Sequence, residues 1–290
     1  MIIVTGATGK LGRGIVEELL ARSPADRIGV SVRAPDKAID FAKRGVRVRH
    51  GDFADADSLA AAFEGSSQVL IVSSNARATG GDPLAQHRAA ITAARAAGTR
   101  RIVYTSHMGA SATSAFAPMH DHAATEAMLR DAGIAWTALR NGFYASTVPT
   151  MVGDAVATGV LTAPEDGKVS WTAHRDLAAA AAEVLLHEGR FEGPTPPLTA
   201  SEATDLDDVA AFLSAIHSKP IGRQQITDAE QANKMSQARV PQQVIDMMLS
   251  FYRAARAGEF AVVNPALASL LGREPLSVRE VLEKGSDIGC

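Results

Sequence analysis

The chain has 290 residues, 46% hydrophobic and 21% charged, which is enough for one large domain or a large one with a small appendage. Its 29 Lys and Arg against 32 Asp and Glu leave a formal net charge of −3, so no field gathers nucleic acid or an anionic membrane. There is no run of about 18 apolar residues to span a bilayer, no basic stretch before an apolar one at the N-terminus, and a lone cysteine, Cys290, that excludes an intramolecular disulfide or a cysteine metal site; the expectation is a reduced cytoplasmic protein.

Ile2-Ile3-Val4-Thr5 reads as a first strand ending at Gly6, followed by a helix with Leu11, Ile15, Val16, Leu19 and Leu20 on one face. Residues 28–32 form a second strand candidate and 37–43 a short helix. A third strand lies at 46–48, ended by Gly51-Asp52, and a helix around Leu59, Ala62 and Phe63 leads to a fourth strand at 69–72. An alanine-rich helix from about Pro83 to Ala97 is closed by Gly98, strand five covers 102–105, a helix covers 123–131, and strand six covers 136–139. Short apolar runs alternating with helices indicate βαβ units, hence an α/β fold with a doubly wound parallel sheet of Rossmann type.

Beyond Asn141 the alternation weakens. A short strand is expected at 169–172, a helix capped by Asp176 runs to Leu186, Pro194–Pro197 reads as a stiff connector, and further helices begin at Asp205 or Asp207 and at Pro241. The division expected is a dinucleotide-binding domain at 1–150 and a smaller, mostly helical, substrate-side lobe at 151–290, interleaved with the sheet edge. Met247, Met248 and Phe251 read as core or pocket lining, and Trp136 and Trp171 as core.

Thr5-Gly6-Ala7-Thr8-Gly9-Lys10-Leu11-Gly12 lies between strand one and helix one. Gly6 allows the tight turn, Gly9 lets a diphosphate approach the backbone, Gly12 lets the helix pack against the sheet, and the helix N-terminus offers free N–H groups to the anion. At the tip of strand two, where an acid would accept from the ribose 2′-hydroxyl of NAD, stands Arg33, with Lys37 nearby. A guanidinium pairs with a 2′-phosphate, which favours NADPH. Asp52 and Phe53 are placed near the adenine, and Ser73, Ser74 and Asn75 after strand four, with Thr105 and Ser106 after strand five, along the cofactor.

These residues resemble the atypical short-chain dehydrogenases of the NmrA-like group. The resemblance is carried by T-G-A-T-G-K-L-G at 5–12, V-R-x-P-x-K at 32–37, H-G-D-F at 50–53, Y-T-S at 104–106, H-x-x-T-E at 122–126, L-R-N-G-F-Y at 139–144, R-D-L-A at 175–178 and L-G-R at 271–273. Within that group the chain is most similar to the type 2 NAD(P)H:quinone oxidoreductases, with the triphenylmethane dye reductases next. The resemblance covers nearly the whole chain and implies NADPH binding, a Rossmann-type fold with a small C-terminal lobe, and reduction of quinones or similar conjugated acceptors.

Most short-chain dehydrogenases use Tyr-x-x-x-Lys, in which the lysine lowers the tyrosine pKa for proton donation to an alkoxide. Here Tyr104 is followed four on by Met108, Tyr144 by Val148 and Tyr252 by Arg256, and no lysine lies between Lys43 and Lys168. A quinone relaxes that requirement, because hydride addition leaves a hydroquinone anion whose conjugate acid has a pKa of order 10. Positioning and one or two hydrogen-bond donors then suffice. His122 is expected to face the nicotinamide in place of the lysine, or simply to pack at the start of its helix, with Thr125 and Glu126 tying that helix to the sheet. Asn141, Phe143 and Tyr144 leave strand six at its ligand-binding end, where an aromatic pair can cover a flat ring, and His107 is a further substrate contact. His120, His122 and Glu126 share metal-ligand spacing but lack a third firm ligand, so no metal is expected.

The reading is an NADPH-dependent reductase of a small-molecule electron acceptor, a quinone or similar planar conjugated compound, with neither nucleic acid nor membrane as partner and a homodimer possible. The alternative is a non-catalytic NADP(H)-binding redox sensor, since NmrA-like proteins include regulators and a missing Tyr-Lys pair suits a sensor too.

Overall fold

The computed structural model describes residues 1–284, the side chains at 78 and 79 excepted; Cys290 lies outside the described residues. The first half alternates as β1 (Ile2–Thr5), α1 (Lys10–Leu20), β2 (Ile28–Val32), α2 (Ile39–Lys43), β3 (Arg47–His50), α3 (Ala56–Phe63), β4 (Gln68–Ile71), α4 (Pro83–Ala96), β5 (Arg101–His107), α5 (Pro118–Asp131) and β6 (Ala135–Asn141). After these come β7 (Phe143–Tyr144), α6 (Val148–Val152), α7 (Ala155–Thr158), β8 (Val160–Pro164), β9 (Trp171–Thr172), α8 (His174–Leu186), β10 (Gly193–Pro194), α9 (Leu206–His217), β11 (Gly222–Ile226), α10 (Asp228–Gln237), α11 (Gln242–Arg256), α12 (Ala266–Leu271) and α13 (Val278–Glu283).

The central sheet has seven strands in the order β10-β6-β5-β4-β1-β2-β3, and every pairing in it is parallel. β1 and β4 are neighbours although not consecutive, so the winding reverses between them, and the crevice at their C-terminal ends is where open α/β sheets bind ligands. β1, β4 and β5 are buried along their whole length, which is why they read as continuous apolar runs: helices cover both faces. One face packs against α1, α8 and α12 through Ile15, Val16, Leu19, Leu177 and Leu267. The other packs against α3, α4 and α5 through Leu59, Phe63, Ile91 and Leu129. A third cluster, built on Trp171, Leu206, Phe251 and Phe260, fills the space under α9 and α11.

Several boundaries differ from the sequence reading, each for a physical reason. α5 begins at Pro118 rather than near Ala123; proline pre-sets the first helical φ, and His120-Asp121-His122 carry no apolar period to betray that turn. Asp176 is not the cap of α8. The helix starts at His174 after Ala173, and the fully buried Asp176 carboxylate accepts from Arg273 Nη2 at 2.5 Å and the Leu276 N–H at 2.6 Å. A carboxylate needed to hold a segment 100 residues away is not free to cap its own helix. The proline-rich connector begins with a strand, since Gly193-Pro194 pairs in parallel with Thr137-Ala138 at the sheet edge. Residues after 150 therefore supply both a strand and the helix α8 to the central sheet, beside the two small sheets β8–β11 and β7–β9.

Candidate active site

The glycine-rich turn delivers a helix N-terminus with nothing of its own to cap it. Gly6 sits at φ +62, and the Gly9 N–H closes the turn on the Gly6 carbonyl at 3.0 Å. Gly9 is the N-cap of α1 but has no side chain to accept from the first turn, and that turn holds no acid, so its N–H groups and dipole are free for an anion. Gly12 and Gly9 differ in what they exclude. A Cβ on Gly12 would stand 2.3 Å from the Gly6 carbonyl oxygen, whereas one on Gly9 would meet only that oxygen, at 3.4 Å. Gly12 is required by packing, while Gly9 keeps open the room above the loop. Thr8, Gly9, Lys10 and Arg13 line one wall of a cleft of about 590 Å³, and Ser146, Thr150, His174 and Arg175 belong to its lining from the second half of the chain.

At the edge of the sheet the cations sort themselves. Arg13 is paired with Asp40, Arg22 with Glu183, Arg44 with Glu17 and Arg49 with Glu64. Arg33, exposed at the end of β2, and the exposed Lys37 have no acidic partner among the described residues. The Asp52 carboxylate accepts from the Ala54 N–H at 3.0 Å, and Phe53 packs half-buried against the α3 side of the sheet. At the ends of β4 and β5 the Ser73 N–H donates to Thr105 Oγ1 at 2.8 Å, the Ser74 hydroxyl donates to Gln86, and Asn75 is exposed. Ser106 is committed elsewhere: its hydroxyl donates to Glu126 at 2.6 Å, and Arg140 grips the same carboxylate through two N–H groups at 3.0 and 2.7 Å. That cluster joins α5 to β5 and β6, as expected of Glu126, and turns Ser106 away from a role along the cofactor.

The sequence reading looked for a partner of Tyr104 four residues on, and the fold supplies one eighteen residues on. Tyr104 Oη lies 2.8 Å from His122 Nδ1. Behind this pair, the Ser74 N–H donates to His87 Nε2 at 2.8 Å, which makes His87 Nδ1 the protonated nitrogen and donor to Thr125 Oγ1 at 2.8 Å; Thr125 in turn donates to the Asp121 carbonyl at 2.7 Å. Burial pushes His87 and His122 down to about 4, and the Tyr104 phenol upward. His107, on the same strand as Tyr104, accepts from the Gly109 N–H through Nδ1 at 3.1 Å and is held well below the usual imidazole range by burial. No local sequence signal marks these contacts; strand pairing and helix packing create them.

Phe143 is not a free plate over a ligand. Its ring lies 4.9 Å from Phe251, 5.2 Å from Phe260, 5.4 Å from His107 and 5.5 Å from Trp171 between centroids, which places it inside an aromatic box. Tyr144 instead packs its ring on His174 at 4.3 Å, beside the cleft, and burial raises its phenol pKa. Burial, reinforced by the Lys10 charge, lowers His174 to about 4. Asn141, paired in register with His107 at the strand ends, is buried, and its Oδ1 has no hydrogen-bond partner among the described residues, an acceptor of the kind that a bound molecule satisfies. His120 Nε2 is bonded to the Ser114 carbonyl at 2.8 Å, so the spaced His120, His122 and Glu126 face different partners. Among the described residues no three His, Cys, Asp or Glu converge, and no helix is long and apolar enough to cross a membrane.

Three comparisons bear on this arrangement. The family model described as "NAD(P)H-binding" matches residues 6–188. Quinone oxidoreductase 2 of Escherichia coli (strain K12) is 35% identical over 281 residues, covering 97% of this chain and 96% of that one. Among solved structures, an NADPH-dependent quinone oxidoreductase from Escherichia coli in complex with NADPH superposes with a TM-score of 0.90 at 34% identity, covering 97% and 98% of the two chains. A triphenylmethane reductase from Citrobacter sp. in complex with NADP(H) gives 0.87 at 32% identity, covering 98% and 99%.

Proposed function

The chain belongs to the NAD(P)H-binding family, and from that premise we propose that it is an NADPH-dependent reductase delivering hydride to a quinone or similar planar conjugated acceptor. The observation that carries the coenzyme reading is the pair of unpartnered cations, Arg33 and Lys37, at the tip of β2, beside an uncapped α1 N-terminus. The whole-length likeness to a quinone oxidoreductase and to a triphenylmethane reductase supports the acceptor class.

In this reading the backbone N–H groups after Gly9, with Thr8, Lys10 and Leu11, hold the diphosphate, while Arg33 and Lys37 neutralise a 2′-phosphate. Asp52, Phe53, Ser73, Ser74, Asn75 and Thr105 border the nucleoside and ribose along the strand ends. The acceptor end comprises His107, His122, Asn141 and Tyr144. When bound, the reduced nicotinamide supplies the hydride; the protein orients the two rings, limits water, and offers hydrogen bonds to the oxygen on which charge develops. The dinucleotide-binding part runs to about residue 150 and the remainder forms the substrate-side lobe, which also lines the cleft and returns β10 and α8 to the central sheet.

Steady-state NADPH oxidation with 1,4-benzoquinone tests the proposal. Turnover that saturates in both substrates is expected. Micromolar NADPH binding without turnover over quinones, dyes, enones and aldehydes would overturn the reductase assignment and leave a coenzyme-binding sensor.

A further inference from the structure

Two histidines at the acceptor end have tautomers dictated by their neighbours. Gly109 offers a backbone N–H to His107 Nδ1; an N–H donor requires a lone pair, so Nδ1 is bare and the ring proton sits on Nε2. The His122 contact with Tyr104 allows either donor in principle, but Tyr104 is fully buried, and its other neighbour, the Thr125 hydroxyl, already accepts from His87 and donates to the Asp121 carbonyl. If Tyr104 accepted, its own proton would be left to a hydroxyl that is already bonded twice, a cost that donation to His122 avoids. His122 Nδ1 is therefore the acceptor, and its proton too sits on Nε2.

Neither Nε2 has a hydrogen-bond partner among the described residues, and neither belongs to the unpartnered side-chain atoms sealed from solvent. The two imidazole rings lie 6.0 Å apart with 31° between their planes. They come from β5 and the first turns of α5, and His107 is in register with Asn141 at the ligand-binding ends of the strands. Beyond His107 begins the aromatic box, with Phe143 at 5.4 Å and Phe260 at 5.7 Å. The histidine pair therefore lies between the strand ends and the aromatic box.

The geometry points to a neutral two-donor clamp, His107 Nε2–H and His122 Nε2–H, that holds the acceptor oxygen in this chain, which has no Tyr-x-x-x-Lys motif. This rests on the reductase reading given above. Hydride arriving at a quinone carries two electrons and one hydrogen, and leaves a hydroquinone monoanion with its charge on oxygen. The two N–H groups bind that oxygen without surrendering a proton, and water supplies the proton that completes the hydroquinone. Neutral imidazoles suit this task because the anion is a weak base compared with an alkoxide. Burial, which disfavours the charged form of both rings, keeps them as neutral donors. Tyr104 touches neither substrate nor coenzyme in this scheme and acts as a positioning residue, fixing the His122 tautomer.

The test has a spectroscopic and a kinetic arm. In protein labelled with ¹⁵N-histidine and saturated with NADP⁺, long-range ¹H–¹⁵N correlation, assigned with His107→Gln and His122→Gln, is expected to show the Nε2–H tautomer for both rings. Addition of 4-nitrophenolate, a mimic of the hydroquinone anion, should move both Nε2–H resonances downfield. Tyr104→Phe should convert His122 to a mixture of tautomers and leave His107 unchanged. An Nδ1–H tautomer at either ring, or resonances that ignore the phenolate, would overturn the clamp. In the kinetic arm, kcat/KM for benzoquinone is compared with that for a cationic triarylmethane dye, which takes hydride at carbon and forms no oxygen anion. His122→Leu should lower the quinone-to-dye ratio roughly 10²-fold, the scale of one lost oxyanion donor, and His122→Gln, which retains an N–H, should restore much of it. Equal losses on both acceptors contradict the clamp. If the wild type reduces no acceptor at all, the reductase reading fails, and the tautomers and phenolate shifts still decide the clamp by themselves.

Discussion

Replacing Gly9 and Gly12 in turn by alanine separates a glycine kept for a ligand from one kept for the fold. In Gly12→Ala the new methyl would stand 2.3 Å from the Gly6 carbonyl oxygen, 2.7 Å from its carbon and 3.1 Å from Ala7 Cα, all backbone atoms that cannot rotate away. Overpacking of this kind costs about 1–3 kcal/mol, or a fall in Tm of roughly 2–10 °C at this chain length. In Gly9→Ala the nearest atom is the Gly6 oxygen at 3.4 Å, and the backbone is extended at φ −88, which alanine adopts freely. A poorer N-cap costs roughly 0.5–1 kcal/mol, and the stiffer unfolded chain returns about 0.4–1 kcal/mol, so stability should stay within about 1 kcal/mol of the parent. The methyl does, however, occupy the room above the loop, and NADPH affinity should fall at least tenfold, about 1.4 kcal/mol. Differential scanning calorimetry and calorimetric NADPH titration read the two effects separately. A Gly9→Ala protein with unchanged Kd for NADPH would falsify the assignment of this loop to the diphosphate.

Three other predictions follow from the same geometry. Arg33→Asp removes the unpartnered guanidinium and adds charge repulsion to a 2′-phosphate, so NADPH should lose at least tenfold in Kd while NADH changes little; equal losses reject the 2′-phosphate role. Glu126→Ala strips Ser106 and Arg140 of a shared buried acceptor and should cost about 2–4 kcal/mol in denaturant unfolding, with Glu126→Leu/Arg140→Met regaining most of it; a double variant no better than the single one refutes the ion-pair explanation. His87, His122 and His174 stay neutral in the fold down to about 4, and Asp166 is raised to about 6, each chiefly by burial. Between about pH 6.5 and 4 the unfolded state binds the imidazole protons that the fold refuses, so stability falls as the pH is lowered through that range. Asp166 opposes this by holding a proton that the unfolded chain releases, which leaves a net uptake of about two protons on unfolding near pH 5. His107, also depressed, adds to the same sign. Urea midpoints measured from pH 7 to 4 read the slope, and a flat profile contradicts the burial of these rings.

The sheet was legible because its strands are covered on both faces and so appear as apolar runs, and because one glycine triplet at the first crossover has few other uses. The position of Arg33 was legible for a similar reason: it directly follows the strand that positions it, so spacing alone places it. The acceptor end was less so. Asp176 reads locally as a helix cap, yet tertiary structure commits it to Arg273 and Leu276. Phe143 reads as a ring for covering a ligand, yet five aromatic neighbours from other parts of the chain enclose it. Likewise Ser106 falls beside Thr105 at a strand end, but alternation along the strand turns it towards Glu126.

What the sequence determined by itself, then, was everything set by periodicity and by contacts within a turn or two: the wound sheet, the glycine-rich turn before α1, and the absence of lysine from residues 44 to 167. That gap removes the usual proton donor but says nothing of what replaces it. Only the tertiary structure brought Tyr104 to His122 and aligned His107 with Asn141. Those pairings depend on which strands lie side by side and how far α5 turns before it packs, and neither is encoded in the spacing of the residues concerned.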